Sequence, residues 1–277
     1  MFNTNDIKAR QAVLFTVGSQ TPQKRILIVA ACRGIPYLNY LHRYNESAGR
    51  PFSITYINPN DYSFDIYGRP QDCLAKIETL ETEAHLLRTI SEADIFIHEH
   101  HENFGMFNTL KTAEKNIWQF GVRPDVVEIC VPNFHNHFIL SSDILKYCAT
   151  DEVRADFKAR GRLMLVDEHF LQATSEHHIR RFIKNCDLSS FPGFGCWFRQ
   201  NWRVVRPFWT FNHVSAAFTL ELFRRMNDQF LNLELDEKFW NAARSEDLFT
   251  YPRTPYTQLD ESLLGVRWNF PIESPDI

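Results

Sequence analysis

Residues 26 to 34 read Ile-Leu-Ile-Val-Ala-Ala-Cys-Arg-Gly, a short aliphatic run that ends in a cysteine, an arginine and a glycine. Such a run is typical of a strand that is buried on both faces, and we expect this strand over Arg25–Ala31. Gly34 and Pro36 then indicate the start of a helix that continues to about Tyr44, because proline suits the first helical turn, where its missing N–H has no partner to lose. The stretch therefore predicts the first half of a βαβ unit.

Outward from this stretch, the N-terminal half alternates β-branched runs with helical patterns. Further strands are predicted at Phe52–Ile57, Asp94–His98 and Val126–Val131, with an amphipathic helix at Asp72–Ile90. After Pro132 we expect helices over about Asp143–Phe157 and Asp167–Lys184, and in an apolar-striped stretch from Val214 to Phe230. The patterns predict an α/β fold, with a mostly parallel sheet and flanking helices in the N-terminal half and a helix-rich C-terminal half.

The chain gives no sign of an internal boundary. It lacks repeats, low-complexity segments and a Gly/Ser-rich linker, so we predict one domain over residues 1–277. Residues 250–277 are rich in proline, which favours an extended or partly disordered tail.

The composition is that of an ordinary globular protein and excludes several classes. The chain has 277 residues, with 30 Lys and Arg against 34 Asp and Glu and a formal net charge of −4. That balance argues against a protein that works by neutralising nucleic-acid phosphates, so we expect no nucleic-acid partner. The longest aliphatic run, from Ile26 to Cys32, is far shorter than the roughly 20 apolar residues of a transmembrane helix, so we expect no membrane span.

The N-terminus and the cysteines bear on the cellular compartment. Residues Met1 to Lys8 lack a basic opening followed by an apolar stretch, so we expect no export signal and a cytoplasmic protein. The six cysteines are widely spaced, with no Cys-x-x-Cys pair that would indicate a zinc ribbon or a redox pair. We therefore expect free thiols, most of them buried.

Cys32 is the first candidate for chemistry because it follows the first predicted strand and precedes a helix. In open α/β sheets ligands bind at the carboxyl ends of the strands. Unpaired N–H groups and the helix dipole at that position stabilise a thiolate. Cys32 is a candidate nucleophile on these grounds, and the alternative is a buried cysteine packed beneath the helix.

A second candidate lies in Thr210-Phe-Asn-His-Val-Ser, directly before the last long apolar stripe. Asn212 is a plausible N-cap, which would place His213 in the first turn of that helix. The helix dipole would there keep the imidazole neutral, as a general base requires. The alternative is a surface histidine beside a cap.

Histidine pairs stand near the ends of two predicted strands. His98 and His100 close the third strand, while His135 and His137 follow the fourth. His-x-His on an extended backbone projects both rings from one face, as a zinc or iron site needs. A suitably placed carboxylate is lacking, so we favour polar histidines around a pocket and predict no metal.

An aromatic and basic stretch covers residues 197 to 209. Arg199, Arg203 and Arg206 alternate there with Trp197, Trp202 and Trp209. Arginines among aromatic rings suit a ligand that carries phosphates and an aromatic base, such as a nucleotide-bearing cofactor. The alternative is a tryptophan-rich part of the core whose arginines extend to solvent.

Four short motifs stand out: the strand that ends in Cys32-Arg33, Ala93-Asp-Ile-Phe-Ile-His, Val131-Pro-Asn-Phe and Thr210-Phe-Asn-His. In their order and approximate spacing they resemble the WcbI family, which is described as acetyltransferases of capsular polysaccharide biosynthesis. The family commonly has Gly-Asn-Cys-Gln around the cysteine and a proline after Asn-His, where this chain has Ala-Ala-Cys-Arg and Val214. The resemblance implies an α/β fold that binds coenzyme A, with Cys32 in the site and His213 as its partner.

The resemblance and the residues together predict an acyltransferase, expected to be an acetyltransferase that uses acetyl-coenzyme A. Its acceptor would be a small molecule or a saccharide hydroxyl. Either Cys32 takes the acyl group covalently, or His213 deprotonates the acceptor for direct attack. Arg33, Gly34, Arg199, Arg203 and Arg206 are the expected cofactor contacts. The rival interpretations are an SGNH-like or metal-dependent hydrolase and a catalytically silent protein that binds coenzyme A or a nucleotide.

Overall fold

The computed structural model describes residues 15–30, 32–57, 88–99, 123–134, 137–160, 165–211, 213–244 and 253–269. Contacts within the chain define two compact units. The first comprises Met1–Asn133 and Thr219–Leu248, and the second comprises Phe134–Phe218 and Phe249–Ile277. The single domain over 1–277 stays a prediction.

The first unit contains a five-stranded sheet. Its strands are β1 (Phe15–Gly18), β2 (Lys24–Val29), β3 (Phe52–Ile57), β4 (Ile95–Glu99) and β5 (Val127–Val131). Their spatial order is β1-β3-β2-β4-β5, with β1 antiparallel to β3 and every other neighbouring pair parallel. The mostly parallel sheet that the sequence predicts is therefore confirmed.

The aliphatic residues 26–29 belong to β2, the central strand of this sheet. β2 pairs with β3 on one side and with β4 on the other, with Ile26 opposite both Ile54 and Ile95. Residues 26–29 are each at most 1% exposed. A strand with neighbours on both edges and buried faces must be apolar throughout, which explains the absence of alternation.

Helices occupy most of the remaining described chain. They are α1 (Ile35–Ser47), α2 (Ser141–Tyr147), α3 (Asp151–Arg160), α4 (Leu165–Asp187), α5 (Pro192–Asn201), α6 (Ala216–Met226), α7 (Glu237–Arg244) and α8 (Gln258–Leu264). A 3₁₀ turn, Cys32–Gly34, precedes α1, and a π-helical turn, Asn227–Leu231, follows α6. Two short strands, β6 (Phe208–Thr210) and β7 (His213–Val214), pair antiparallel. The helix-rich C-terminal half is confirmed.

The segment 143–157, predicted to be helical, contains two helices, α2 and α3. The side chain of Arg154 spans the break between them, where its Nη1 donates to the carbonyl oxygens of Leu145, in α2, and of Ala149, in the turn after it, at 3.3 and 2.6 Å. Carbonyls near the end of a helix have no helical N–H to pair with. The arginine of one helix thus caps the preceding helix.

Two other predictions concern partly described segments. Of the helix predicted at Asp72–Ile90, only residues 88–90 lie within the described residues, and residues 88–91 are helical. In the segment expected to be extended, residues 258–264 form α8. Thr257 and Asp260 give this helix a reciprocal capping box, which is a strong helix start. Among the described residues, no helix is both long and apolar enough to cross a membrane.

Candidate functional site

The order of the parallel strands reverses between β2 and β4. The chain passes from β2 to β3 on one side and then to β4 on the opposite side of β2. At such a reversal the connections leave in opposite directions, and ligands of open α/β sheets bind in the crevice that opens at the carboxyl ends. The Cys32–Gly34 turn follows β2 here, and Glu99 is the last residue of β4. We call these residues the switch-point site.

The structure places the backbone of Cys32 as the sequence predicts, at the start of the turn between β2 and α1. The side chain of Cys32 lies outside what the structure describes, so its exposure to a cleft stays a prediction. Gly34 has a packing role in the same turn. A Cβ on Gly34 would lie 2.7 Å from the Cβ of Ala30 and 3.0 Å from the ring of Tyr56. The turn therefore packs closely against the sheet and leaves no room for a side chain at position 34.

Arg33 and Glu99 form a buried ion pair across the switch-point site. Arg33 Nε donates to Glu99 Oε1 at 2.8 Å, and Nη2 donates to Oε2 at 2.9 Å. The two side chains are only 5% and 1% exposed. Arg33 as an anion contact for a cofactor stays a prediction, but its positive charge already faces a carboxylate of the protein.

His98 and Cys130 lie on neighbouring strands beside this ion pair. His98 Nε2 is 2.8 Å from Glu128 Oε1, and its ring stacks on Phe96. Cys130 is opposite His98 in the register of β4 and β5. Burial, with the charges of Glu128 and Glu99, raises the pKa of Cys130 to about 12, so this thiol stays protonated at neutral pH.

The histidine pairs do not build a metal site in the described part of the chain. His98 contacts Glu128, and the ring of His137 packs 5.1 Å from that of Phe182 in the second unit. His100 and His135 lie outside the described residues. No group of three or more potential metal ligands occurs among the residues that are described.

The prediction that His213 occupies the first turn of a helix is wrong. His213 and Val214 form β7, paired with β6, and α6 begins only at Ala216. The pairing uses the backbone in extended form, so His213 lies outside the helix whose dipole was expected to keep its imidazole neutral. Asn212, the expected cap, lies outside the described residues. The His213 Nδ1 is instead 2.7 Å from Thr210 Oγ1, which fixes the orientation of the half-buried ring.

Arg206, a predicted cofactor contact, is buried within the second unit and contacts several of its segments. Its guanidinium lies 5.0 and 5.5 Å from the ring centres of Trp209 and Trp268. It donates to the carbonyl oxygens of Phe208, at 2.9 Å, and of Thr254. Arg206 is 4% exposed, so its charge is satisfied by carbonyls and aromatic faces within the protein.

Arg203 and Arg199 differ in their surroundings. Arg203 lies 4.5 Å from the ring centre of Trp202, and its Nε donates to the carbonyl of Leu264, the last residue of α8. Arg199 is exposed on α5. The alternation of arginine and tryptophan therefore reflects packing for the buried Arg206, whereas Arg203 and Arg199 are both exposed and remain candidate phosphate contacts.

Two buried carboxyl groups in the second unit, those of Asp143 and Asp260, were not among the predicted site residues. Asp143 accepts a hydrogen bond from Thr254 Oγ1 at 2.9 Å, and Asp260 accepts from the backbone N–H of Ser141 at 2.8 Å. Burial is the main cause that raises the pKa of both groups, that of Asp143 to about 7, with the charge of Asp260 adding to the shift at Asp143. The spacing Thr257-x-x-Asp260 is a capping signal that could have revealed Asp260.

Comparison with protein-family models, with curated proteins and with solved structures finds no match to this chain. The family resemblance of the short motifs therefore stays a prediction.

Proposed function

We propose that this protein is an acyltransferase that moves an acyl group from a coenzyme A thioester to a hydroxyl acceptor, with Cys32 as the nucleophile. The observation that carries the proposal is the position of Cys32. Its backbone stands at the reversal of strand order, after the central strand and before α1. That place combines an expected ligand crevice with the positive end of a helix, which favours a thiolate.

The proposed reaction has two steps, acylation of Cys32 and transfer of the acyl group to the acceptor. The Cys32 thiolate attacks the thioester carbonyl, and the bond from the acyl carbon to the coenzyme A sulfur breaks as the bond to Cys32 forms. The leaving sulfur takes up the proton that Cys32 released. In the second step the acceptor hydroxyl loses its proton to a base and attacks the acyl-cysteine, which regenerates the thiolate. Backbone N–H groups of the turn would stabilise the oxyanion in both steps.

We propose the covalent route rather than direct attack, because His213 lies on β7 and not at the helix start that was expected to keep its imidazole neutral. Its contact with Thr210 still holds the ring in a defined orientation, and a role as a base for the acceptor stays open to mutation.

The identities of the donor and the acceptor rest on the motif resemblance. It favours acetyl-coenzyme A and a saccharide hydroxyl, and a cytoplasmic location follows because coenzyme A thioesters are intracellular. Arg199 and Arg203 are the predicted phosphate contacts that the fold leaves exposed, and Arg203 also donates to the carbonyl of Leu264. An exposed guanidinium can bind phosphate without losing a partner in the protein.

The experiment is a release assay with purified protein. Acetyl-coenzyme A is incubated with and without a panel of saccharide acceptors, and free coenzyme A is measured over time. We expect acceptor-dependent release that Cys32→Ala abolishes and that Cys130→Ala leaves intact, since the Cys130 thiol is protonated. Hydrolysis of simple esters, a requirement for divalent metal, or binding of coenzyme A without release would instead support one of the rival functions.

A further inference from the structure

We propose that Glu99 is a positioning residue that holds the Cys32–Gly34 turn in its reactive arrangement by clamping Arg33, an inference that rests on the proposed role of Cys32. Glu99 is not proposed to touch a reacting atom. It acts through the arginine that follows Cys32 in the same turn.

The geometry of the ion pair supports this role. Both carboxylate oxygens of Glu99 accept from Arg33, at 2.8 and 2.9 Å. A two-point contact of this kind fixes orientation as well as distance, because the planar guanidinium matches the planar carboxylate. The pair also joins the connection after β2 to the end of β4, the two strands between which the strand order reverses.

Stability alone is a poor explanation for such a pair. Removing an ion from water costs several kcal/mol, and buried ion pairs can often be replaced by apolar side chains without loss of stability. Arg33 and Glu99 are nearly inaccessible to water, so this cost applies to both. Unlike an apolar pair, the Arg33–Glu99 pair fixes the arrangement of the Cys32–Gly34 turn.

The turn is held on a second side by packing. Gly34 lies so close to Ala30 and Tyr56 that a Cβ would overlap their atoms. Glu99 itself stands on a fixed segment, because the preceding residue, His98, contacts Glu128 on β5. The turn that begins with Cys32 is therefore fixed by the sheet at Gly34 and by an anchored carboxylate at Arg33.

The pair also sets the net charge at the residue that follows Cys32 in the chain. In the native protein the negative charge of Glu99 offsets the positive charge of Arg33. In Glu99→Gln the arginine keeps its charge but loses that compensation, so a thiolate at Cys32 becomes more favourable. The pH midpoint for alkylation of Cys32 should then fall, a change that a loss of stability alone would not produce.

The test uses three variants of the full chain. Glu99→Gln removes one charge, and the double variant Arg33→Met/Glu99→Leu removes both while keeping similar volume. Glu92→Gln is the matched control, because Glu92 pairs with Arg25 in an exposed ion pair at the amino end of β2. Alkylation of the Cys32 peptide by iodoacetamide is followed by mass spectrometry across pH, beside acetyl transfer and the melting temperature.

We expect Glu99→Gln to lower the alkylation midpoint by about one pH unit and acetyl transfer by at least about tenfold. The double variant should keep the native melting temperature within a few degrees and the native midpoint, yet lose transfer to a similar extent. Glu92→Gln should match the native protein in all three measurements.

Full transfer activity in the folded double variant would overturn the proposal, as would a native alkylation midpoint in folded Glu99→Gln. If Glu99→Gln fails to fold, the double variant decides. If the native protein transfers no acyl group, the proposed function fails separately, and the alkylation profiles still show whether Glu99 governs Cys32.

Discussion

Ionisation of Asp143 should cost this protein stability at neutral pH. The side chain is 5% exposed, and its carboxyl group accepts a hydrogen bond from Thr254. Burial, with the nearby charge of Asp260, raises its pKa from 3.8 to about 7, against the opposing effects of the Thr254 hydrogen bond and of the charges of Arg206 and Lys146. Asp143 therefore binds a proton in the folded protein at pH values where it is ionised in the unfolded chain.

The sign and the size of the effect follow from this difference. Between about pH 4 and pH 7 the folded state holds the extra proton, so its stability falls as pH rises by about 1.4 kcal/mol per pH unit. The total across the window is about 4 kcal/mol, and the part between pH 5 and pH 8 is about 3 kcal/mol. Above about pH 8 both states are ionised and the contribution of Asp143 is constant.

The variant Asp143→Asn removes the titration and keeps an oxygen that can accept from Thr254. The free energy of unfolding is measured in urea at pH 5 and at pH 8, for the native protein and the variant. We expect the variant to gain about 3 kcal/mol relative to the native protein between the two pH values.

The matched control is Asp187→Asn, because Asp187 is exposed in the same unit. It should leave the difference between the two pH values unchanged. An equal dependence on pH in the native protein and in Asp143→Asn would refute the assignment of a raised pKa to Asp143.

Four further substitutions test the assignments of the site residues. Gly34→Ala should lower the free energy of unfolding by about 1 to 3 kcal/mol, because the new Cβ would overlap Ala30 and Tyr56; native stability in urea titration would contradict the close packing. Arg199→Ala should weaken the binding of coenzyme A, measured by calorimetry, by about 1.5 to 3 kcal/mol. Arg206→Met should lower the melting temperature and leave the affinity for coenzyme A unchanged, because Arg206 contacts carbonyls and aromatic rings of the protein. The reverse pattern would make Arg206 the ligand contact. His213→Ala decides whether this histidine is the base of the second step: a loss of acetyl transfer of about 100-fold or more with native folding would assign it that role, and unaltered turnover would exclude it.

The fold could be predicted because its main signals are local. The uninterrupted aliphatic residues 26–29 identify a central strand, and Pro36 marks the first turn of the helix that follows. Phe52–Ile57 was predicted with the bounds that the structure has. The position of Cys32 between strand and helix follows from the same pattern, since the end of one element and the start of the next are both visible in the sequence.

The partners of the site residues could not be predicted because they are distant in sequence. Glu99 is 66 residues from Arg33, and Thr254 is 48 residues from Arg206. An arginine beside tryptophans has the same local sequence whether it binds a phosphate or a backbone carbonyl. The prediction for His213 failed for a related reason. His213 pairs with Thr210 between β6 and β7, and α6 therefore begins at Ala216, beyond the expected cap.

The most direct test of the central claim is to trap the acyl group on Cys32. The protein is mixed with acetyl-coenzyme A without acceptor, quenched in acid and digested, and the mass of every cysteine peptide is measured. We expect one added acetyl group on the Cys32 peptide, which is lost when a productive acceptor is supplied. We expect no acetyl group on the Cys130 peptide, because that thiol stays protonated. Acceptor-dependent transfer with an unmodified Cys32 peptide at every time point, or with undiminished activity in Cys32→Ala, would contradict it.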